Sequence, residues 1–408
     1  MARIIFILTQ SLDSPSGIGR YHPLAKNLAR LNHEVQIFAL HPDYDNLSKK
    51  EFTLDGFSVS YVARMHVKKT GDLKSYYSGG RLLQITLDAT WQLTKAVVQN
   101  KGDILIIGKP HPMNSIAGLI GRIIHGCQLF LDCDDYEAGS GRFNSRWQKS
   151  IIMLFEKWVP KRVNTVLTNT YFMRENLIKW GVNPEKVYYL SNGVEVSRFQ
   201  TPSRDALEAL RKEYGFEGKK IVGFIGSMSL PSHPVNLLLE AIRLLSESNP
   251  DLGFLMVGGG EDLPELKAQA NKLDLSNSIR FTGRIPPDQI PLYYSLLDVS
   301  VDPVYDDDAA RGRSPLKLFE SWFCGVPFIT SDVGDRRALI GGPPAGVLVT
   351  PGDPNALAQG ILNVIEDQEK AERLRSEGKE RVKSYTWEQL AKGFNQVIHS
   401  SLEDSRNG

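Results

Sequence analysis

Cysteine is scarce in this chain of 408 residues, which contains only Cys127, Cys133 and Cys324. Three scattered thiols cannot form a disulfide framework, and no two of them have the spacing of zinc ligands. A disulfide-rich secreted domain and a zinc-stabilised module are therefore excluded. The composition favours a reducing compartment, and we expect the protein in the cytoplasm.

Long apolar runs are missing as well. The first run, Ile4–Leu8, is too short for the core of a signal peptide and predicts a buried strand instead. No later stretch is long enough to cross a bilayer. Any contact with a membrane is therefore expected to be peripheral, at the inner face of the cell membrane.

The chain has no overall excess of charge of one sign, because its net charge is only +1. The two halves nevertheless differ: residues 1–195 contain 24 basic and 17 acidic residues, against 24 and 30 in the remainder. This asymmetry supports two domains and indicates that the first half meets something anionic. We expect no nucleic acid among the partners.

Short apolar runs alternate with segments of helical period along most of the chain. The expected strands are, in a first series, Arg3–Leu8, Glu34–Ala39, Ile104–Ile107, Leu129–Leu131, Thr165–Thr168 and Val187–Leu190, and in a second, Ile221–Ile225, Gly253–Val257, Ile279–Phe281, Val299–Val301, Pro327–Thr330 and Gly346–Val349.

The order of strand, crossover helix and strand is typical of a parallel sheet that is covered on both faces. Two such series predict an α/β protein of two doubly wound, Rossmann-like domains, at residues 1–195 and 196–385. Residues 386–408 are expected to form a helix that crosses back to the first domain, followed by a disordered tail.

Candidate site residues in the first half follow the expected strands, where parallel sheets bind ligands. Gly17 and Gly19 lie in a loop after the first strand, and glycine lets a ligand approach the backbone. The acidic stretch with Asp132, Asp134 and Asp135 is a candidate for a catalytic base, a metal-binding site or a helix cap. Further candidates on the acceptor side are Lys109 and His111.

Glycine turns also follow the strands of the second half. The candidates that would contact a nucleotide there are Gly226, Ser227, Gly259, Gly283 and Arg284. Gly226 and Ser227 occupy the first loop of the second domain, close to the expected place of a diphosphate. Each turn alone is weak support, since glycine is common at strand ends.

The segment from Arg313 to Pro327 carries the strongest signal. It predicts a helix capped by Ser314, with Pro315 and Leu316 in its first turn. The amino end of a helix suits a phosphate, to which Arg313 and Lys317 add full charges. Glu320, one turn further, could accept hydrogen bonds from sugar hydroxyls. The pattern indicates a nucleotide or nucleotide sugar; an ordinary capped surface helix is the alternative.

Two other segments each leave two interpretations open. Asp306–Asp308 is either a metal-binding cluster or, more simply, a solvated acidic loop. Arg146–Arg162 mixes aromatic residues with five cations and one acid. It could rest on an anionic bilayer or pack on the core with a basic edge.

Taken together, these motifs resemble the retaining GT-B glycosyltransferases of family four. The resemblance rests above all on SPLKLFESWFCGVPFITSDVGD, supported by the SNGV linker at Ser191–Val194, the GGGE turn, the FTG turn and the YTW opening of the last helix. It implies two domains that face each other across a cleft, with a UDP- or GDP-linked sugar on the second and a glycan or glycolipid acceptor on the first. Surface-polysaccharide or glycolipid assembly would be the setting.

The resemblance also implies roles for single residues. Glu320 would bind the donor ribose, Lys317 and Arg313 the diphosphate, and the backbone of Ser314–Leu316 the sugar or a phosphate. Gly17 and Gly19 would approach the phosphate from the first domain. Asp134 or Asp135 would orient the acceptor hydroxyl, and no metal or other cofactor would be needed.

The chain departs from the family pattern at three places. Gly312 stands where the family usually has a second glutamate, which addresses the transferred sugar. His233 or Asn236 takes the place of an Arg and a Lys-Gly pair. The acidic stretch from Asp132 replaces a histidine, as in a DxDD-type subgroup.

Three alternative functions remain, of which the first follows from these departures. The first is a nucleotide-sugar-binding subunit that is catalytically weak or inactive. The second is an NAD-linked dehydrogenase, which fits poorly because the third fingerprint glycine and the ribose-binding acid are missing. The third is a sugar epimerase of the same fold.

Overall fold

The computed structural model describes residues 1–70, 73–140, 143 and 145–407 and contains two compact units. The first unit comprises Met1–Asn192, Gly312–Ser314 and Trp387–Gly408, and the second comprises Gly193–Arg311 and Pro315–Thr386. The chain passes from the first unit to the second after Asn192, returns briefly at Gly312–Ser314, and returns finally after Thr386. Within the described ranges, no helix combines the length and the apolar character that a bilayer crossing requires.

The strands are β1 (Arg3–Leu8), β2 (Glu34–His41), β3 (Glu51–Leu54), β4 (Phe57–Arg64), β5 (Val67–Thr70), β6 (Leu73–Tyr76), β7 (Ile104–Gly108), β8 (Gln128–Cys133), β9 (Thr165–Thr168), β10 (Val187–Tyr189), β11 (Lys220–Ile225), β12 (Leu252–Val257), β13 (Ile279–Gly283), β14 (Val299–Asp302), β15 (Phe328–Ser331) and β16 (Val347–Val349).

The α-helices are α1 (His22–Arg30), α2 (Gly79–Gln99), α3 (Pro112–His125), α4 (Glu137–Ser140), α5 (Arg146–Trp158), α6 (Tyr171–Lys179), α7 (Arg204–Glu213), α8 (Val235–Ser246), α9 (Leu263–Lys272), α10 (Ile290–Leu296), α11 (Asp308–Arg311), α12 (Leu316–Phe323), α13 (Arg336–Ile340), α14 (Pro354–Ile365), α15 (Gln368–Arg381) and α16 (Trp387–Asn407).

The first unit is built on an eight-stranded sheet with the order β10-β9-β8-β7-β1-β2-β4-β3. Its neighbouring strands are parallel except β3 and β4, which pair in antiparallel fashion. Successive side chains of β1 serve opposite faces, as the pleat requires. Ile4 and Phe6 pack with α1 and α16, whereas Ile5 and Ile7 pack with α2 and α3. Helices therefore cover both faces, which explains why β1 is almost wholly apolar.

The last helix, α16, packs on the first unit, and its buried residues recur at helical spacing: Trp387, Ala391, Phe394 and Ile398. The residues expected to be a disordered tail are helical as far as Asn407. Leu402 still packs against the core there. No glycine or proline precedes Gly408 in this stretch, so nothing in the local sequence ends the helix earlier.

The second unit contains a six-stranded parallel sheet with the order β13-β12-β11-β14-β15-β16. Helices α8, α9 and α14 cover one face, and α7, α10 and α12 cover the other. The strand order reverses between β11 and β14, as it does between β1 and β7 in the first unit. Doubly wound sheets bind ligands at the carboxyl ends of the strands beside such a switch point.

Candidate active site

The candidate residues of the first unit gather at its switch point, after β1, β7 and β8. Lys109 follows β7 and has a left-handed backbone with φ of 72°, a conformation that costs of order 1–3 kcal/mol for a residue with a side chain. Its N–H donates to the carbonyl of Asp132 at 3.0 Å, and Asn114 Nδ2 donates to its carbonyl at 3.1 Å. These bonds hold Lys109 over the acidic segment.

The ammonium group of Lys109 lies among three carboxylates. Nζ donates hydrogen bonds to Asp135 Oδ2 at 2.9 Å and to Glu137 Oε1 at 2.6 Å. It also forms an ion pair with Asp134 Oδ1 at 3.2 Å. The sequence predicted three of these four groups, and Glu137 completes the set. One buried cation thus balances only part of the negative charge.

This crowding separates the proton affinities of the acids. Burial raises the pKa of Asp134 to about 7; Lys109 opposes that shift, and Asp135 adds to it. Burial also disfavours ionised Glu137, but Lys109 and His111 prevail and hold its pKa well below the usual range. For Lys109, burial is outweighed by the acids, which raise its pKa. Asp134 is therefore poised to exchange a proton near neutral pH.

His111 joins the same cluster. Its Nε2 lies 3.1 Å from Glu137 Oε2, and its Nδ1 lies 3.0 Å from Thr9 Oγ1. Glu156 of α5, which the sequence analysis did not single out, lies beneath the cluster and accepts hydrogen bonds from the N–H groups of Glu137 and Ala138, at 2.8 and 3.2 Å. Burial, with Glu137 adding to it, raises the pKa of Glu156 to about 8.

Asp132, predicted on the acceptor side, lies in a buried ion pair with Arg20. Both of its oxygens accept from the guanidinium group, at 2.6 and 2.7 Å. Arg20 also donates to the carbonyl of Leu190 at 3.1 Å and to Asn192 Oδ1 at 2.9 Å. The side chains of Arg20 and Asp132 are only 2% and 1% exposed. Asp132 is therefore held by Arg20 in the interior of the unit, and its place on the acceptor side stays a prediction.

The predicted glycine loop is a tight helical turn, Gly17–Tyr21. A Cβ atom at Gly17 would lie 2.5 Å from the carbonyl oxygens of Ser11 and Leu12, so only glycine fits this approach of two backbone segments. The carbonyl of Gly19 accepts a hydrogen bond from Trp387 Nε1 at 3.1 Å. Local packing therefore requires glycine at position 17, and the contact of Gly17 and Gly19 with a phosphate stays a prediction.

Asp134, Asp135 and Glu137 could also hold a divalent cation, since one oxygen of each lies within 4.8 Å of the others. Hard cations prefer such oxygen ligands. The ammonium group of Lys109 already approaches all three carboxylates, so a metal ion would have to displace it. This competition between Lys109 and a metal ion favours Lys109.

In the second unit, Lys317 lies at the switch point between β11 and β14. Its Nζ is 2.7 Å from Asp302 Oδ1 and 3.2 Å from His233 Nδ1. It also lies 4.7 Å from the centre of the Phe224 ring. The other oxygen of Asp302 accepts from Arg336 at 3.2 Å. The sequence predicted Lys317 but missed Asp302 and Arg336.

The charges of this cluster favour an anion. Burial disfavours ionised Asp302, but Lys317 and Arg336 outweigh it and hold its pKa below the usual range. Two cations therefore share one carboxylate, which leaves a positive balance. Gly226 adjoins the cluster, because a Cβ atom there would lie 2.5 Å from Lys317 Cε.

Glu320 lies one turn after Lys317 on α12, and residues three apart share a face of a helix. The hydroxyl of Tyr294 donates to its Oε2 at 3.2 Å, and Arg198 forms an ion pair at 3.6 Å. Burial raises the pKa of Glu320, with Arg198 and Tyr294 opposing. A carboxylate with few internal donors retains the capacity to accept hydrogen bonds from a ligand.

The predicted glycine turns lie side by side at the strand ends. Gly226 N–H donates to Val257 at 2.9 Å, and the carbonyl of Gly259 accepts from Met228 at 3.0 Å. Gly283, with φ of 73°, accepts from the N–H of Gly258 at 3.0 Å. The adjacent side chains of Ser227 and Arg284 are exposed.

The start of α12 differs from the prediction. Ser314 does not cap the helix: Pro315, with ψ of 98°, precedes the first helical residue, Leu316. The Oγ of Ser314 is buried and has no hydrogen-bond partner within the described ranges. Arg313 is half-buried and groups with Ser314 in the first unit, while Pro315 and Leu316 belong to the second.

Known structures define the class of fold. Sucrose-phosphate synthase from Thermosynechococcus elongatus aligns with a TM-score of 0.78 at 19% identity, over 98% of this chain and 99% of that chain. Anabaena Alr3699/HepE in complex with UDP-glucose aligns with a TM-score of 0.73 at 19% identity, over 98% and 100%. The predicted GT-B fold of two Rossmann-like domains is confirmed.

Family comparisons make the assignment more specific. A model of the glycosyl transferases group 1 matches residues 207–381, and one of the glycosyl transferase 4-like domain matches residues 16–193. Together the two models span most of the chain and confirm the resemblance to GT-B glycosyltransferases, while the retaining mechanism stays a prediction. The DxDD-type subgroup stays a prediction.

Curated relatives match over about half of this chain. The D-inositol 3-phosphate glycosyltransferase of Corynebacterium urealyticum is 24% identical over 223 residues, which are 53% of this chain and 51% of that protein. The putative teichuronic acid biosynthesis glycosyltransferase TuaH of Bacillus subtilis is 30% identical over 224 residues, 53% of each. The chain spans about half the length of these curated relatives.

Proposed function

We propose that the protein is a retaining glycosyltransferase that needs no metal ion. It would move a sugar from a UDP- or GDP-linked donor to a hydroxyl group of a glycan or lipid-linked acceptor, in polysaccharide or glycolipid assembly. The observation that carries the proposal is the pairing of Lys317 and Glu320 on one face of α12, at the switch point of the second unit. Alr3699/HepE, a structural neighbour, was solved with UDP-glucose.

The second unit would hold the donor. Cleavage of the sugar–phosphate bond leaves a diphosphate whose negative charge grows in the transition state. Lys317 and Arg336, which share Asp302, supply a fixed positive balance for that charge. Arg313 and the free N–H groups at the start of α12 would add donors. These groups would do what a metal ion does in other transferases.

Glu320 would recognise the ribose. An ionised carboxylate is an acceptor for two hydroxyl groups, and its contacts with Tyr294 and Arg198 hold it in place. The turns at Gly226, Gly259 and Gly283, with Ser227 and Arg284, would admit the base and the diphosphate to the backbone. None of these contacts distinguishes uracil from guanine.

The first unit would bind the acceptor. With its pKa near 7, Asp134 can accept a proton from the attacking hydroxyl. Asp135 would orient that hydroxyl, while Lys109 and His111 hold the carboxylates in place. Retention would follow from attack on the face that the leaving phosphate vacates, and its support is the family resemblance.

The second candidate is a subunit that binds a nucleotide sugar without transferring it. The replacements at Gly312 and His233 favour it, because they fall where the family contacts the sugar and the diphosphate. His233 lies 3.2 Å from Lys317 and so occupies part of that place. Such a subunit would bind nucleotide but release no sugar to any acceptor.

A thermal-shift screen against UDP, GDP, ADP, their sugar conjugates and NAD, with and without magnesium, tests the donor side. A ligand that binds only the folded state at a hundredfold excess over its Kd adds about 2.7 kcal/mol of stability. We expect a shift with one nucleoside diphosphate, independent of magnesium and lost in Glu320→Ala. The matched control is Glu265→Ala, since Glu265 is an exposed glutamate on α9 of the same unit.

The screen separates the alternatives. No shift with any nucleotide, or a shift with NAD alone, would overturn the transferase proposal. A magnesium-dependent shift would refute the metal-free mechanism. Turnover of the stabilising nucleotide sugar with a hydroxyl acceptor would then distinguish the enzyme from the inactive subunit.

A further inference from the structure

One side of the first unit exposes large apolar side chains in rows. They belong to α2, α3 and α5, the helices on the sheet face opposite α16. We name this surface the apolar helix face and define it by Leu83, Leu87 and Trp91 of α2, Ile116, Ile123 and Ile124 of α3, and Trp147, Ile151, Leu154 and Trp158 of α5.

The spacing of these residues follows the helical repeat. Leu83, Leu87 and Trp91 stand four residues apart and are 59%, 62% and 66% exposed. The inner side of the same helix is apolar too, since Ile85 and Leu93 are buried. A helix that is apolar on opposite sides has more hydrophobic surface than its own domain can bury. The outer row therefore needs a different explanation from the core.

The three helices form one continuous layer. Helix α2 packs along α3, and α3 contacts α5. Arg122 of α3 donates a hydrogen bond to the carbonyl of Arg162, in the turn that ends the α5 segment. Apolar patches of this extent on a soluble protein mark an interaction site.

The charges around the patch have almost one sign. The three helices and the turn at residues 159–162, all fully described, contain eight cations: Arg81, Lys95, Arg122, Arg146, Lys149, Lys157, Lys161 and Arg162. They contain two acids. Glu156 is buried, and Asp88 alone is exposed. The guanidinium of Arg162 lies 3.9 Å from the centre of the Trp158 ring, which joins the basic and aromatic elements.

We infer that the apolar helix face is a docking surface for an anionic lipid bilayer. Tryptophan and aliphatic side chains enter the headgroup boundary, and lysine and arginine attract acidic lipids. A second copy of this chain is a poor occupant, because a symmetric contact would oppose the same cations. The inference goes beyond the proposed function and does not depend on the donor site.

Vesicle cosedimentation of the full chain is the test. The probes are phosphatidylcholine vesicles with and without 30% phosphatidylglycerol, at low and high salt. We expect binding to the anionic vesicles that falls at least tenfold in high salt. The double variant Trp91→Ser/Trp147→Ser should lose at least tenfold in partitioning. Both side chains are more than half exposed, so folding should survive, which circular dichroism would check.

Three controls sharpen the test. Leu54→Ser changes an exposed apolar residue of the same unit outside this face and should bind like the wild type. Glu320→Ala should bind the anionic vesicles like the wild type, which separates this inference from the transferase proposal. Brominated lipids should quench the exposed tryptophans of the wild type, and this quenching should fall in the double variant.

Several outcomes would overturn the inference. The first is absence of binding, and the second is equal binding to neutral vesicles. The third is a wild-type dimer in sedimentation velocity that the double variant dissociates without any change in vesicle binding. A soluble acidic partner that displaces the protein from vesicles by binding more tightly at this face would also count against a bilayer.

Discussion

The ion pair between Arg20 and Asp132 allows a decisive substitution, Asp132→Asn. Asparagine keeps the shape of the side chain but removes its charge and leaves the Arg20 cation buried. Loss of one partner of such a pair costs about 3–5 kcal/mol. In the wild type Asp132 offsets the burial cost of Arg20 and raises the pKa of Arg20 above its usual range. In the variant this support is lost, and deprotonation offers no escape, because a guanidinium group does not lose its proton in proteins. We therefore expect a large loss of stability in the first unit.

Urea unfolding, followed by tryptophan fluorescence and circular dichroism, would measure this loss. Trp387 is a suitable reporter, because its ring lies 5.9 Å from the Arg20 guanidinium. The double variant Arg20→Met/Asp132→Leu should recover most of the stability, since apolar pairs often replace buried ion pairs without loss. A change below about 1 kcal/mol in Asp132→Asn, together with a raised KM for the acceptor, would refute this reasoning and return Asp132 to the ligand-contacting groups.

Two further predictions concern the candidate sites of the two units, taken one at a time. Gly226→Ala would place a Cβ atom 2.5 Å from Lys317 Cε and push the ammonium group aside. We therefore expect calorimetry to show a Kd for the nucleoside diphosphate that is at least tenfold higher than in the wild type. An unchanged Kd would contradict the role of Lys317. If ionised Asp134 is the base, turnover should rise as pH increases through about 7, and Asp134→Asn should abolish this limb. A pH profile that keeps the limb in Asp134→Asn would assign it to another group.

The sequence predicted the parallel strands well because strands buried on both faces are short apolar runs with no polar alternation. Each expected run lies in an observed strand within one or two residues. Strands β3 and β4 of the large sheet, and the separate two-stranded sheet of β5 and β6, were missed. Strand β4 alternates buried and half-buried residues, and β3 is mostly exposed at the edge of the sheet, so neither gives a continuous apolar signal.

The site was predictable only where its residues are neighbours in the chain. Lys317 and Glu320 share one helical turn, and Asp134 and Asp135 follow one strand. The partners that hold them come from far away in sequence: Arg336 reaches Asp302 across 34 residues, and Arg20 reaches Asp132 across 112. No local spacing encodes such contacts. The cap at Ser314 was wrong because the extended backbone of Pro315 delays the first helical turn.

Helix α5 contributes to a different cluster of residues on each of its two sides. Its outer row belongs to the apolar helix face, while its inner residue Glu156 accepts hydrogen bonds from the first N–H groups of α4, beside Glu137. A shift of α5 would move the carboxylate that Lys109 and His111 hold. If contact with lipid fixes the position of this helix, a bilayer would activate the protein as well as bind it. Reaction rates measured in buffer without lipid would then be lower than the rates at a membrane surface.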